Sequence, residues 1–217
     1  MNLFLYHTKP HTLDHHDAAH ELVPAVAWYK YANDKKALRT MKDVFAKDAK
    51  YAMRWVKQIE EPFPEAEHLF VKTPKMAFEY AQASRGHHFK AGEDIIATDP
   101  QIAVKYARVI LRKPFPKGED TIAKSATWAS AYAADVIKGP WSKGEAAIAE
   151  RADSSYDYAF QVLGHRFKEG EEAISKSGMF SSEYADNVLN ARFIKGEPAI
   201  KGSRFQKEYE KNWQIKL

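Results

Sequence analysis

A chain of 217 residues is long enough for one substantial domain or two small ones. Hydrophobic residues make up 45% and charged residues 29%, the balance of a folded protein, and the apolar runs are too short to span a bilayer, so no membrane is expected as a partner. The absence of cysteine excludes disulfides, thiol catalysis and cysteine-ligated zinc, and the formal charge of +4 is below that usual for a dedicated nucleic-acid binder.

The opening stretch "MNLFLYHTKPH" lacks the basic flank and small-residue cleavage site of a secretory signal, so a cytoplasmic location is expected. Residues 1–46 show no repeat and are read as an N-terminal helical cap or small domain. They contain "HTLDHHDAAHEL", in which His11/His15 and His16/His20 are i,i+4 pairs that place two imidazoles on one helix face. With Asp17, and Glu21 beside it, these four histidines are a candidate nitrogen/oxygen site for zinc, manganese or iron. A solvated polar helix start explains the same residues. The His16-Asp17 pair resembles that of HD-type metal-dependent phosphohydrolases, whose further His and Asp have no assignable counterpart here.

Residues 47–202 carry an internal repeat. Tyr-Ala pairs begin at Tyr80, Tyr106, Tyr132, Tyr158 and Tyr184, each 26 residues after the last. Gly-Glu pairs begin at Gly92, Gly118, Gly144, Gly170 and Gly196 with the same step. Aromatic residues (Phe63, Phe89, Phe115, Trp141, Phe167, Phe193) and apolar ones (Phe70, Ile96, Ile122, Ile148, Ile174, Ile200) hold that register too. Each unit parses as two helices. Thr73, Asp99, Ser125, Ser177 and Ser203 fall at one position as N-caps of the first helix, with Pro74 and Pro100 just inside it. An apolar stripe at helical spacing follows, then a break rich in Pro or Gly, then a shorter second helix that begins near Gly-Glu. The fold class predicted is all-α: a solenoid of about six helix-turn-helix units with helical caps at both ends. Residues 47–72 are a degenerate first unit whose first helix aligns only if one residue is gained or lost, and residues 203–217 supply a C-terminal capping helix.

The pattern carried by "YAADVIKGPWSKGEAAIAE", "YAFQVLGHRFKEGEEAIS" and "YADNVLNARFIKGEPAIK" resembles a short helical repeat found in uncharacterised proteins of tailed bacteriophages and large DNA viruses. The resemblance covers about three quarters of the chain. It implies a viral, all-helical protein acting in an infected cell, and it implies no reaction.

Two rows invite a functional reading. The glutamates Glu67, Glu93, Glu119, Glu145, Glu171 and Glu197 could form an acidic ladder, but each sits where a carboxylate caps a helix start, and Ser142 to Glu145 reads as a capping box. The preceding glycine is expected to give close packing or an unusual backbone angle. The tyrosines could stack bases, but they share the apolar stripe and are assigned to the core. Pattern breaks are better places to look. "SRGHHF" puts Ser84 and Arg85 where other units have Val or Ile and Leu, followed by His87 and His88. Arg85, His87 and His88, with Arg166 and Arg192 of the basic row Lys90, Lys117, Lys143, Arg166, Lys168, Arg192, Lys195, are the candidate partner-binding residues. No phosphate-binding loop, nucleophile elbow or His-Glu-x-x-His motif occurs. The function expected is a non-enzymatic scaffold for macromolecules that binds a host protein. A nucleic-acid-binding solenoid is the alternative, and a metal-dependent hydrolase built on His11, His15, His16, His20 and Asp17 is the third reading.

Overall fold

A computed structural model of the chain describes residues 42–217, and every regular element among them is a helix. The histidine cluster of residues 11–20 lies outside the described residues, as does most of the 1–46 segment. No helix among the described residues is long and apolar enough to cross a membrane. The chain divides after Ile96 into two units.

In the first unit, α1 (Ala49–Ile59) starts at Asp48, whose carboxylate accepts from the N–H groups of Lys50 at 2.8 Å and Tyr51 at 3.2 Å. A 3-10 turn, Pro64–Ala66, leads into α2 (Glu67–Phe70). Next comes α3 (Pro74–Ala83), where Thr73 caps the Met76 N–H and Pro74 occupies the first turn. A second 3-10 turn, Lys90–Gly92, precedes α4 (Glu93–Ile96). Their core is aromatic: Phe70 stacks on Tyr80 with centroids 4.5 Å apart, and Phe89 meets the same ring edge-on at 4.7 Å.

The second unit contains four repeats. Their first helices are α5 (Pro100–Lys105), α7 (Ala126–Tyr132), α9 (Ala152–Asp157) and α11 (Gly178–Tyr184), and their second helices are α6 (Pro116–Ile122), α8 (Ser142–Ile148), α10 (Glu171–Ile174) and α12 (Glu197–Ile200). A further helix, α13 (Gln206–Trp213), follows. The first helices α5, α7, α9 and α11 pack in that order, and each second helix packs on the first helix of its own repeat. The recurring Ile122, Ile148, Ile174 and Ile200 are fully buried, as the stripe predicts.

The first helices of the second unit do not stay α-helical. Each loosens into a π segment: Tyr106–Leu111, Ala133–Ile137, Tyr158–Leu163 and Ala185–Leu189. Each then stops on a left-handed residue (Arg112, Lys138, Gly164 or Asn190) whose N–H reaches the carbonyl five residues back. The same repeat position is left-handed at Glu60 and Gly86. From cap to left-handed residue the repeats at Asp99 and Thr73 take one step more than the unit at Asp48. In α1 the closing bond, Glu60 N–H to Val56 O, spans only four residues. The one-residue misfit of the degenerate unit is therefore the residue that a π turn adds. At α3 the extra residue is taken up differently. Ser84 is buried and its hydroxyl donates to Tyr80 O at 2.8 Å, the helix ends there, and Arg85 and Gly86 are both left-handed.

Asp99 and Ser177 cap their helices through the side chain as expected, while Ser125 is an N-cap by position without such a bond. The capping box at Ser142 is corrected. The N-cap of α8 is Trp141, with no side-chain cap, because the glutamate is engaged elsewhere.

Candidate functional site

The elements that recur in every unit meet at the boundaries between repeats. The Tyr158 hydroxyl, fully buried on the first helix of one repeat, accepts from the Trp141 N–H of the preceding repeat at 2.8 Å. It donates in turn to that repeat's Glu145 carboxylate at 2.7 Å. Tyr132 does the same with the Phe115 N–H and Glu119, and Tyr184 with the Phe167 N–H and Glu171. So does Tyr209 with Phe193 and Glu197, and in the first unit Tyr80 with Phe63 and Glu67. Three of the repeated residue classes thus form one relay, from N–H to hydroxyl to carboxylate. The rings of Tyr80, Tyr132, Tyr158 and Tyr184 pack edge-on against the following aromatic of their own repeat, as for Tyr158 on Phe167 at 5.1 Å.

This arrangement raises the pKa values of the tyrosines. Burial comes first, the backbone N–H opposes it, and the neighbouring carboxylate adds to it; Tyr132 and Tyr184 are each pushed up to about 12. Burial also pushes up Tyr80, Tyr158 and Tyr209. The phenols stay protonated and donate. The assignment of the tyrosines to the core holds, whereas the glutamates serve the next repeat's hydroxyl rather than a backbone cap.

The glycine beside each glutamate is explained by closeness, not by backbone angle. Gly170 and Gly196 have ordinary φ values of −86° and −90°. A Cβ at Gly144 would lie 2.6 Å from the Trp141 ring and 2.9 Å from the Ala129 Cβ. The second helix rests directly on the first through that gap.

The five proposed partner-binding residues sit beside this framework. Arg166 grips Glu171 with two guanidinium nitrogens, and Arg192 grips Glu197 at 2.8 and 3.0 Å. His88 lies 2.5 Å from Glu93, His87 is 3.8 Å from Glu67, and Arg85 is 3.3 Å from Glu60. His88, Arg166 and Arg192 hold one repeat position, five residues before the glutamate of the Gly-Glu pair. Among the described residues no group of three or more His, Asp or Glu is arranged to hold a metal.

The outer surface of the first helices differs from repeat to repeat. One outward position is Arg108, Ala134, Phe160 and Asp186 in turn, and the next is Val109, Asp135, Gln161 and Asn187. Phe160 is 49% exposed and stacks on Tyr156 at 5.8 Å with ring planes 4° apart. Tyr156 also touches Phe180 of the following repeat, and its hydroxyl accepts from Asn187 at 3.0 Å. Sequence reasoning passed over this group because Phe160 falls outside the recurring pattern. Its one signal was a large aromatic at a position that is Arg, Ala or Asp elsewhere. No protein-family model matches the chain, and no curated protein and no solved structure matches it.

Proposed function

We propose that this chain is a scaffold that binds another protein through the outer surface of its first-helix row. What supports the reading is the contrast between a repeated interior and a varied exterior. The same Tyr, Glu, Gly and aromatic residues rebuild each boundary, while the outward positions change freely and leave Phe160 half exposed. A boundary that has to be made five times over constrains its residues; a surface that binds one partner needs to be made once. The viral resemblance of the repeat extends the reading to a host protein in the cytoplasm of an infected cell.

Four cations of the basic row that would serve nucleic acid are held by the chain's own carboxylates. Lys143 pairs with Glu119 and Asp120, Lys195 with Glu172, and Arg166 and Arg192 with the relay glutamates. Each would have to leave its acid before meeting a phosphate.

The test is capture from bacterial extract by the immobilised full chain, with and without nuclease. A protein retained after nuclease by the native chain and lost with Phe160→Ser supports the scaffold. Retention of nucleic acid alone overturns it.

A further inference from the structure

The charge of three of the four first helices in the second unit is one-sided; the exception is α5 with its π segment, which carries Lys105 and Arg108, the latter paired with Asp135. Residues 126–137, 152–163 and 178–189, which span α7, α9 and α11 with their π segments, contain no Lys or Arg, although the whole chain has a formal charge of +4. They contain Asp135, Asp153, Asp157, Glu183 and Asp186. The basic residues of these repeats lie instead in the connections and second helices. In these three repeats charge is therefore segregated between two layers, and Phe160, the exposed member of the aromatic stack, lies in the acidic one.

Within that layer the acids surround the stack. Asp153, Asp157 and Phe160 follow at helical spacing along one face of α9 and its π segment. The charges of Glu183 and Asp157 both bear on Tyr156, behind the burial that chiefly raises it. Asp157 is itself pushed above the usual carboxylate range, by partial burial first and by the charge of Asp153 second. Asp153 is paired with Arg151 from the preceding connection. At Asp157 the bond within the chain comes from the Gln161 amide at 3.5 Å, a neutral group. An aromatic face beside acids that repel one another suits a cation: the ring quadrupole attracts it, and the carboxylates are relieved by it.

Resting on the scaffold reading, we infer that the Tyr156–Phe160 stack with Asp157 and Glu183 is the docking point for a basic segment of the partner protein, with an arginine or lysine laid over the Phe160 ring. Phe180 and Asn187 of the next repeat hold Tyr156 from behind, so the platform is set before the partner arrives. Arginine fits better than lysine, because its planar head can stack on the ring while its N–H groups reach Asp157. Phosphate-bearing partners are repelled by this layer.

The probe is a short fluorescent Arg-Ala repeat peptide titrated into the full chain by anisotropy, beside a peptide with Gln at each Arg position. The Arg peptide should bind and the Gln peptide should not, and raising salt should weaken the complex. Phe160→Ser should weaken it about tenfold, the order that one partly desolvated cation–π contact supplies. Asp157→Asn should weaken it by about threefold. The pair Glu169→Gln and Glu172→Gln, on the second-helix side, should leave it unchanged. Equal binding of the two peptides overturns the proposal, as does an unchanged affinity in Phe160→Ser, or a loss in the Glu169/Glu172 variant in place of it. If the extract yields a protein held through Phe160 while the Arg peptide does not bind, the basic-segment inference fails and the scaffold stands. If the extract yields nothing and the peptide binds only through Phe160, the preference of this site for a basic segment stands and the partner is not among the proteins of that extract.

Discussion

Tyr158 and Glu145 are thirteen residues apart in sequence and belong to different repeats, yet the phenol donates to the carboxylate at 2.7 Å in a part-buried site. The same hydroxyl accepts from the Trp141 N–H, which burial would otherwise leave unpaired, so one phenol serves two groups of the neighbouring repeat.

Tyr158→Phe should therefore cost more than one ordinary hydrogen bond. It strands a buried N–H and removes a charge-assisted bond together, a loss of about 2–3 kcal/mol in urea or thermal unfolding. Glu145→Gln keeps an oxygen in reach of the hydroxyl and should cost about 1 kcal/mol or less. In a double-mutant cycle the two changes should be strongly non-additive. Additive costs would mean that the relay does not couple the repeats.

Gly144→Ala forces a methyl into the gap between Trp141 and Ala129 and should destabilise by about 1–3 kcal/mol. Gly139→Ala is the control: nothing lies within 4 Å of a Cβ there, and the change should be close to neutral. The difference in denaturation midpoint between the two variants measures the closeness of the helix pair.

Lys138 stands in the left-handed region with φ of 59°, where a side chain is strained. Lys138→Gly should raise stability by about 0.5–1 kcal/mol, and Gly164→Ala, at φ of 67°, should lower it by a similar amount. Unfolding midpoints of the pair check both signs.

The phenols set an alkaline limit. A folded-state value raised above the unfolded one of about 10 means that the fold prefers the protonated form. The contribution of Tyr132 and Tyr184 is then fully present below pH 10 and is lost as pH rises through about 12. Tyr80, Tyr158 and Tyr209 act in the same direction. Helicity should stay flat near neutrality and collapse above pH 10, with tyrosinate absorbance appearing in the same step. Ionisation of these buried tyrosines near pH 10 in a chain that keeps its helicity would contradict this.

The spacing of Tyr, Gly, Glu and aromatic residues in the sequence is enough to find the repeat, its two helices and its buried stripe, because each is a local matter of period and capping. What stayed hidden is relational. Periodicity shows that Tyr158 and Glu145 recur, but it cannot show that each meets the other's repeat, so the glutamate is read first as a cap on its own helix. The π turn is hidden for another reason: passing from a four-residue to a five-residue bond needs no special residue type. Only the one-residue slip at α1 records it. Phe160 was legible in principle, as the apolar exception at an outward position, but a search for what repeats discards what does not.

The relay also has a direction. The hydroxyls of Tyr132, Tyr158, Tyr184 and Tyr209 each reach back to the repeat made before them, so those earlier repeats do not complete their own bonding; their successors do. On a ribosome adding roughly 5–20 residues per second, each unit emerges with an N–H and a carboxylate still facing water and keeps them open for a second or more. Assembly in this protein is therefore vectorial. The order of synthesis is also the order in which the sockets close.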